Sequence, residues 1–367
     1  MKPFAFNNLF ATGLILAGAV SIPNLHATSV SVFVEGGSAS STVLYDRATN
    51  LFAGGSFTFH GSTSANVVEF TGTSTNAALA GYSSITLDIN LANGAIAGLD
   101  ALVNQSPASG DTNYAGTKLI PTFVDSATSP EAVGINSIAN NLETDYATYV
   151  VPLVYVKNAN SIDTAAITNL TQRQAVALET SLNPATFFGG NSTNFVYFVG
   201  RNNEAAVRTE IDLNVYNSGN IQTYTNNAAG APVQDTNPNG DPGLSSASKE
   251  VAVVTVLTNS IGEVAYQNVK SPLVPLNYEG VPYSTTNVIN GSYPIWGYEH
   301  YYFIQSGLNG APTPDQQAVL DTFYSSVTNA AFQSATNPVF NNNFVSIPSL
   351  RVSRQYDGGP IIPLPNY

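Results

Sequence analysis

The chain has 367 residues, with 11 Lys and Arg against 24 Asp and Glu, a net charge of −13 and no cysteine. So acidic a chain repels nucleic acid and anionic membrane surfaces alike, which excludes partners of both kinds. The missing cysteine excludes thiol chemistry, disulfides and a lipid-anchored lipoprotein, so a hydrophobic core has to hold the fold unaided, and a chain of this length can bury enough surface to do so.

Residues 1–27 read as a secretory signal. Lys2 supplies a short basic start, "LFATGLILAGAV" is the apolar centre, and "LHA" before Thr28 offers a small residue for cleavage. The apolar run is shorter than the ~20 residues a membrane-spanning helix needs, and no second run follows, so no membrane insertion is expected. The competing reading is a retained N-terminal anchor. Removal of Lys2 with the signal makes the mature chain one unit more negative. A soluble periplasmic or extracellular protein is the expectation.

"SVSVFVEGG" (29–37) predicts a strand ending in a Gly turn, and "SASSTVLYDRATNLF" a helix with Ser and Thr at its start as N-cap supply. Strand, Gly-Ser turn and helix start present backbone N–H groups to an anion. "FTFHGS" and "NVVEFTGT" predict a hairpin and "SSITLDINL" a further strand. "NGAIAGLDALVNQ" predicts a second helix after a Gly turn. "KLIPTFVDSA" and "ATYVVPLVYVKN" predict buried strands.

Farther on, "LTQRQAVALE" predicts a helix with Thr171 at or beside its start. "NFVYFVG" predicts a strand, and the segment after Arg201 a helix. Residues 217–247, rich in Asn, Gly and Pro, predict a loop or excursion. "KEVAVVTVLTNSIGEVAY" returns to strand or helix, and "TPDQQAVLDTFYSSVTNAAF" is an amphipathic helix begun by Thr313 and Pro314. Strands alternating with helices give an α/β protein with a mixed, mostly parallel sheet flanked by helices. No internal repeat is evident.

Several stretches, in this order, resemble the phosphate-binding-like branch of the type 2 periplasmic solute-binding proteins: "EGGSASS", "NGAIAGL", "FVDSATSP", "NLTQRQAVAL", "VGRNNEAAVR", "SIGEVAY", "VPLNYEGVPYSTTNVINGSYPIWGYEHYYF" and "SLRVSRQYDGG". Together they span nearly all of the mature chain, and "NYEGVPYS…NGSYPIWGYEH" is the most specific. The resemblance implies a two-lobed architecture closing on a ligand between the lobes. Lobe one would comprise about 28–148 and 277–367, and lobe two 149–276. It further implies a small anionic or polar solute and a membrane transporter as partners, with no cofactor and no catalysis.

The same resemblance places the ligand contacts. Ser38, Ala39 and Ser40 stand in the first anion loop, Gly94 and Ala95 in the second, and Thr128 and Ser129 in the Ser-Asp segment, whose Asp position is Pro130. Arg201 stands in the binding-arginine position, followed by Ala205, Ala206 and Val207 where Ser-Gly-Thr is the pattern. A desolvated phosphate needs many donors, and each lost charge-assisted hydrogen bond costs roughly 1.5–3 kcal/mol. Tight phosphate binding is therefore not expected. An alternative reading is a structural or adhesive cell-surface protein on the same scaffold, without a small ligand.

Each of these residues has a plainer reading. Arg201 is balanced between a ligand contact and a structural pair with Glu204 or Asp212, and Arg208 favours a structural pair. Ser38 and Ser40 also serve as helix caps. Trp296, Tyr298 and Tyr301 could line a cleft wall, with core packing favoured.

His60 and His300 are the histidines left after signal removal, and without cysteine they make a zinc site improbable. No Gly-x-Ser-x-Gly elbow, Walker or dinucleotide signature occurs. In "DTNPNGD", Asp235, Asn237, Asn239 and Asp241 alternate as calcium-loop ligands do, with Gly240 at the bend. The twelfth position is Ser246 rather than Glu, so an Asn/Asp-rich turn is favoured.

Overall fold

The computed structural model describes residues 29–62, 65–107, 110–217, 220–236 and 242–365. The signal-like segment 1–27 lies outside them, and so do Asn237, Asn239 and Asp241. Of the calcium-loop set only Asp235 is described, and its Oδ2 accepts the Gly243 amide at 3.2 Å. Among the described residues no group of acidic or histidine side chains is arranged to hold a metal ion, and no helix is long and apolar enough to cross a membrane.

The first strand, β1 (Ser29–Gly36), leads through a Gly-Ser turn into α1 (Ser41–Leu51). The hairpin β2 (Phe57–His60) and β3 (Val67–Gly72) is followed by β4 (Ser84–Asn90) and α2 (Ala95–Asn104). Next come β5 (Phe123–Ser126) and the long β6 (Ala147–Asn158). Helix α3 (Gln172–Thr180), β7 (Phe195–Val199), α4 (Ala206–Val215), α5 (Ala247–Val256) and β8 (Ser260–Ala265) form the middle of the chain. The chain then returns through β9 (Trp296–Ile304) to α6 (Pro314–Val327).

One sheet of twelve strands runs through the molecule in the order β2-β3-β4-β1-β5-β9-β6-β8-β7, with Asn183–Pro184 beyond β7 and two short strands on its flanks. Two halves meet where β9 lies beside β6. All of β5 and β8 and nearly all of β6 are buried, as strands covered on both faces must be. The nearly unbroken apolar run of β6 follows from that double cover, while β5 and β8 carry Asp125 and Glu263 into the interior.

The sheet is mixed, and its balance departs from the mostly parallel one expected. Parallel pairing holds where a helix returns the chain, at β1–β4, β1–β5 and β7–β8. The hairpin and the two long strands that join the halves pair antiparallel. Strand–helix alternation predicts the first kind of pair and is silent about the second.

Two helix starts form as their sequences dictate. Thr171 accepts the Gln174 amide at 3.3 Å while Gln174 Oε1 accepts the Thr171 amide at 2.9 Å, and Thr313 and Gln316 repeat the arrangement ahead of Pro314. Residues 217–247, read as a loop, contain a small hairpin, Tyr224–Asn226 against Pro232–Gln234. They also bring Leu244 into a bridge with Arg201.

Helix α6 closes the first half by packing on α1 and β1. Its Phe323 is fully buried, with ring centroids 6.2 Å from Phe123 and 5.9 Å from Tyr301. Phe323→Ala should lower unfolding free energy by about 3–5 kcal/mol, read from the shift of the urea midpoint. A loss below about 1 kcal/mol would mean that α6 does not close this core.

Candidate functional site

Three strand–turn–helix junctions point their helix starts at one place: β1 to α1, β4 to α2, and β7 to α4. Gly37, Ser38 and Ala39 from the first meet Gly94 from the second and Arg201 with Ala205–Val207 from the third. Ala127 and Glu299 complete the lining. Orphan N–H groups at helix starts make such a convergence an anion cradle in principle. The hollow left between them holds about 10 Å³, at the lower limit for a single water. A phosphate-sized ion does not fit with the loops as they stand.

The protein's own atoms fill the cradle. The Glu204 carbonyl accepts the Ile96 amide of α2 at 3.3 Å. Gly94 turns into α2 with φ +94°, and a Cβ there would overlap the Glu204 carbonyl, so both the conformation and the close approach demand glycine. Arg201 is only 2% exposed. Its Nε donates to the Leu244 carbonyl at 2.9 Å, its Nη2 to the Ser245 carbonyl at 3.2 Å, and its Nη1 reaches Ser38 Oγ at 3.4 Å. Burial lowers its pKa, and the nearby Glu250 and Glu263 oppose that fall.

The two halves are tied across the cradle by polar contacts. Thr128 Oγ1 donates to the Ala206 carbonyl at 3.1 Å. Gln267 Nε2 donates to the Ser38 carbonyl at 3.0 Å and also to that of Ala39, while its Oε1 accepts the Thr42 hydroxyl. Each such bond stabilises the closed arrangement by about 0.5–1.5 kcal/mol net.

Most of the residues expected at a ligand gather here, in differing roles. Ser38, Ala39, Gly94, Arg201, Ala205, Ala206 and Val207 line the hollow. Ser40 lies beneath it, fully buried, as the N-cap residue of α1, yet its hydroxyl caps no helix amide. It donates instead to the Asp125 carboxylate and the Gly37 carbonyl. Ala95 is buried as the first residue of α2. Thr128 turns inward to Ala206, whereas Ser129 lines a separate cavity, its amide held by Asp357 Oδ2 at 2.7 Å.

Of the two readings of Arg201, the structural one takes other partners than Glu204 or Asp212: the Leu244 and Ser245 carbonyls hold the guanidinium, with Glu250 and Glu263 nearby. Arg208 does make a structural pair, with Asp212 at 3.7 Å, and donates to the Arg201 carbonyl at 3.1 Å. Trp296 and Tyr301 are buried in the core, and Tyr298 lines the cavity that also holds Ser129. Sequence reading passed over Asp125, Gln267 and Glu299, which meet the cradle only through the fold.

No family model and no curated protein sequence matches the chain. Solved structures do. A protein from Clostridium perfringens, assigned as a phosphate ABC transporter substrate-binding protein and solved with phosphate bound, superposes with a TM-score of 0.56 at 12% identity, over 86% of this chain and 99% of its own. An ABC-type phosphate transport receptor from Vibrio cholerae gives 0.51 at 12% identity over the same shares. The chain has the type 2 periplasmic binding-protein fold.

Within this binding-protein fold, the cradle is underlain by carboxyl groups. Burial pushes Asp125 up to about 7, opposed by hydrogen bonds from Ser40 and Glu299. Glu299 is raised well above the carboxylate range by burial and by Asp125. Burial also lifts Glu250 to about 8, opposed by Arg201, and lifts Glu263 well above its ordinary value, with Glu250 adding to the shift. One oxygen of each of these four carboxyls lacks a hydrogen-bond partner. A buried carboxylate left that way would be costly, so the neutral acid is favoured.

This layer sets a pH dependence. The folded chain keeps protons that the unfolded chain releases above its ordinary carboxyl pKa, so it binds more protons and its stability falls as pH rises. For Glu250 the contribution is complete below about 4.5 and is lost as pH climbs through about 8; for Asp125 the window runs from 3.8 to about 7. Thermal melts should give their highest midpoint on the acid side of this range and fall steadily towards pH 8. A midpoint that climbs over that interval would contradict the neutral carboxyl layer.

Proposed function

We propose that the protein is exported and acts as a non-catalytic solute-binding protein, closing two lobes on a small polar or anionic solute and presenting it to a membrane transporter. Residues 28–148 with 277–367 would form one lobe and 149–276 the other. The observation that carries this reading is the convergence of three helix-start loops on the buried Arg201 between the two halves. The phosphate-binding proteins of the same fold support it.

A ligand would enter by parting the halves. It would displace the Glu204 carbonyl from Ile96 and the Ser245 carbonyl from Arg201, and take over those donors. The gain is thus an exchange of one acceptor for another, and the methyl-bearing Ala205, Ala206 and Val207 add no hydroxyl. Glu299 in the lining would repel an anion if ionised, and as the neutral acid it offers at most one O–H donor. Affinity for phosphate is accordingly set low, on the order of millimolar.

Isothermal titration with phosphate, sulfate and other small oxyanions tests this directly. At least one should bind, with Arg201→Gln weakening it by about tenfold or more, as loss of a charged donor implies. No heat and no thermal shift with any of them at millimolar concentration would sink the proposal.

A further inference from the structure

Beside β9, on the face opposite the cradle carboxyls, lies a cavity of about 570 Å³. That is inside the ~300–1,000 Å³ span of small-molecule sites. Alternation along β9 builds its floor: Glu299 and Tyr301 turn into the core, while Tyr298, His300 and Tyr302 turn the other way. The His300 ring stacks on Tyr302 with centroids 5.4 Å apart and planes 25° from parallel. Tyr356, 64% exposed, adds an aromatic ring to the rim.

The polar groups here combine acceptors with hydroxyls that both donate and accept, those of Ser129, Ser137, Thr144 and the three tyrosines. His300 Nδ1 sits 3.1 Å from the Tyr298 carbonyl, which can only accept, so Nδ1 carries the proton. Burial lowers the His300 pKa, which keeps the ring neutral and leaves Nε2 as an acceptor. Burial would raise the Glu131 pKa, but hydrogen bonds from the Ser137 hydroxyl and amide outweigh it and lower the value, favouring the carboxylate. Asp357 accepts the Ser129 amide at 2.7 Å and faces the same space, and Gln355 supplies an amide that both donates and accepts.

Arg354 is the guanidinium in the wall; its two terminal nitrogens are engaged, while its buried Nε has no hydrogen-bond partner. It lies 4.2 Å from the Trp296 ring centroid and donates to the Trp296 carbonyl at 3.2 Å, to Asn214 Oδ1 and to the Pro294 carbonyl. With Arg354 of one sign and Glu131 and Asp357 of the other in the same wall, an anion would face the two carboxyl groups. A cation would face Arg354, and a purely apolar ligand would leave the acceptors dry at a cost. A neutral ring that offers several hydroxyl donors on its edge and C–H groups on its face satisfies every wall. We propose that this cavity is a saccharide site, taking a neutral sugar ring or disaccharide between Tyr356 and the β9 aromatic floor, independently of the cradle.

Trp296 is the chain's one tryptophan. It is fully buried, edge-on to Tyr298 with centroids 5.1 Å apart. Its emission thus reports on the cavity floor. Titration of the full chain with glucose, galactose, maltose and lactose should give a saturable change in that emission, and a thermal shift, for at least one sugar. Tyr356→Ala, at an exposed position, should weaken that sugar by about tenfold while leaving the melting temperature of the free protein in place. Excess phosphate should leave the response untouched. The proposal is overturned if no sugar changes the emission at tens of millimolar, if choline saturates the site and the sugars do not, if Tyr356→Ala binds as the parent does, or if phosphate displaces the sugar.

Discussion

The contact on which the site depends is a single backbone hydrogen bond between the halves, from the Ile96 amide to the Glu204 carbonyl. A helix start is a cluster of unsatisfied donors, and burying it between two halves demands an acceptor. Elsewhere a ligand oxyanion can meet that demand; here a peptide oxygen does. Gly94 is the residue that permits the approach, since any side chain would occupy the carbonyl's place. Once the carbonyl is seated, Ala205, Ala206 and Val207 are carried into the hollow with it. The remaining space falls to about 10 Å³. The methyl groups that stand where hydroxyls would serve an anion are thus consistent with a cradle that closes on itself.

Arg201 is subject to the same logic. A buried guanidinium must be hydrogen-bonded and electrically balanced. It finds its hydrogen bonds on the Leu244 and Ser245 carbonyls, and a counter-charge in Glu250 and Glu263 only to the extent that either is ionised. Because carbonyls satisfy the donors, the carboxyls need not both be charged, and crowding two of them with Asp212 and Glu179 nearby favours protons on them. The neutral-acid layer and the closed cradle are therefore two aspects of one arrangement. Raising the pH strains the layer first, and the layer lies directly behind the loops that would have to move to admit a solute.

Local signals carried most of the fold into view. The strand Ala147–Asn158 was readable at its observed limits because its run of β-branched, aromatic and aliphatic residues, broken by Pro152 alone, announces a buried strand. Thr171, and Thr313 with Pro314, announced two helix starts. What stayed hidden is long-range. Gln267 is 229 residues from Ser38 in the chain, and nothing near either residue signals their contact. Ser129 shows the same limit at short range. Ser126 Oγ accepts the Thr128 amide at 3.1 Å and donates to the Thr128 carbonyl at 2.8 Å, a tight turn that sends Thr128 towards the cradle and Ser129 to the far side. Adjacent residues in one motif thereby serve different cavities.

Strand β9 joins these parts. Its two faces differ in chemistry because residues alternate, and the partition is sharp. Glu299 turns to the cradle with Tyr301 in the core behind it, whereas Tyr298, His300 and Tyr302 turn to the open cavity. Gly297, just before them, lies so close to the Ala127 carbonyl and the Glu210 side chain that a side chain there would clash, which resists a shift that would bring another residue to its place. A one-residue slip would exchange the carboxyl for the aromatic face and disrupt both sites at once. The register of β9 is thus a constraint shared by the closed cradle and the open cavity, and it explains how two hollows of opposite character can be built on one strand.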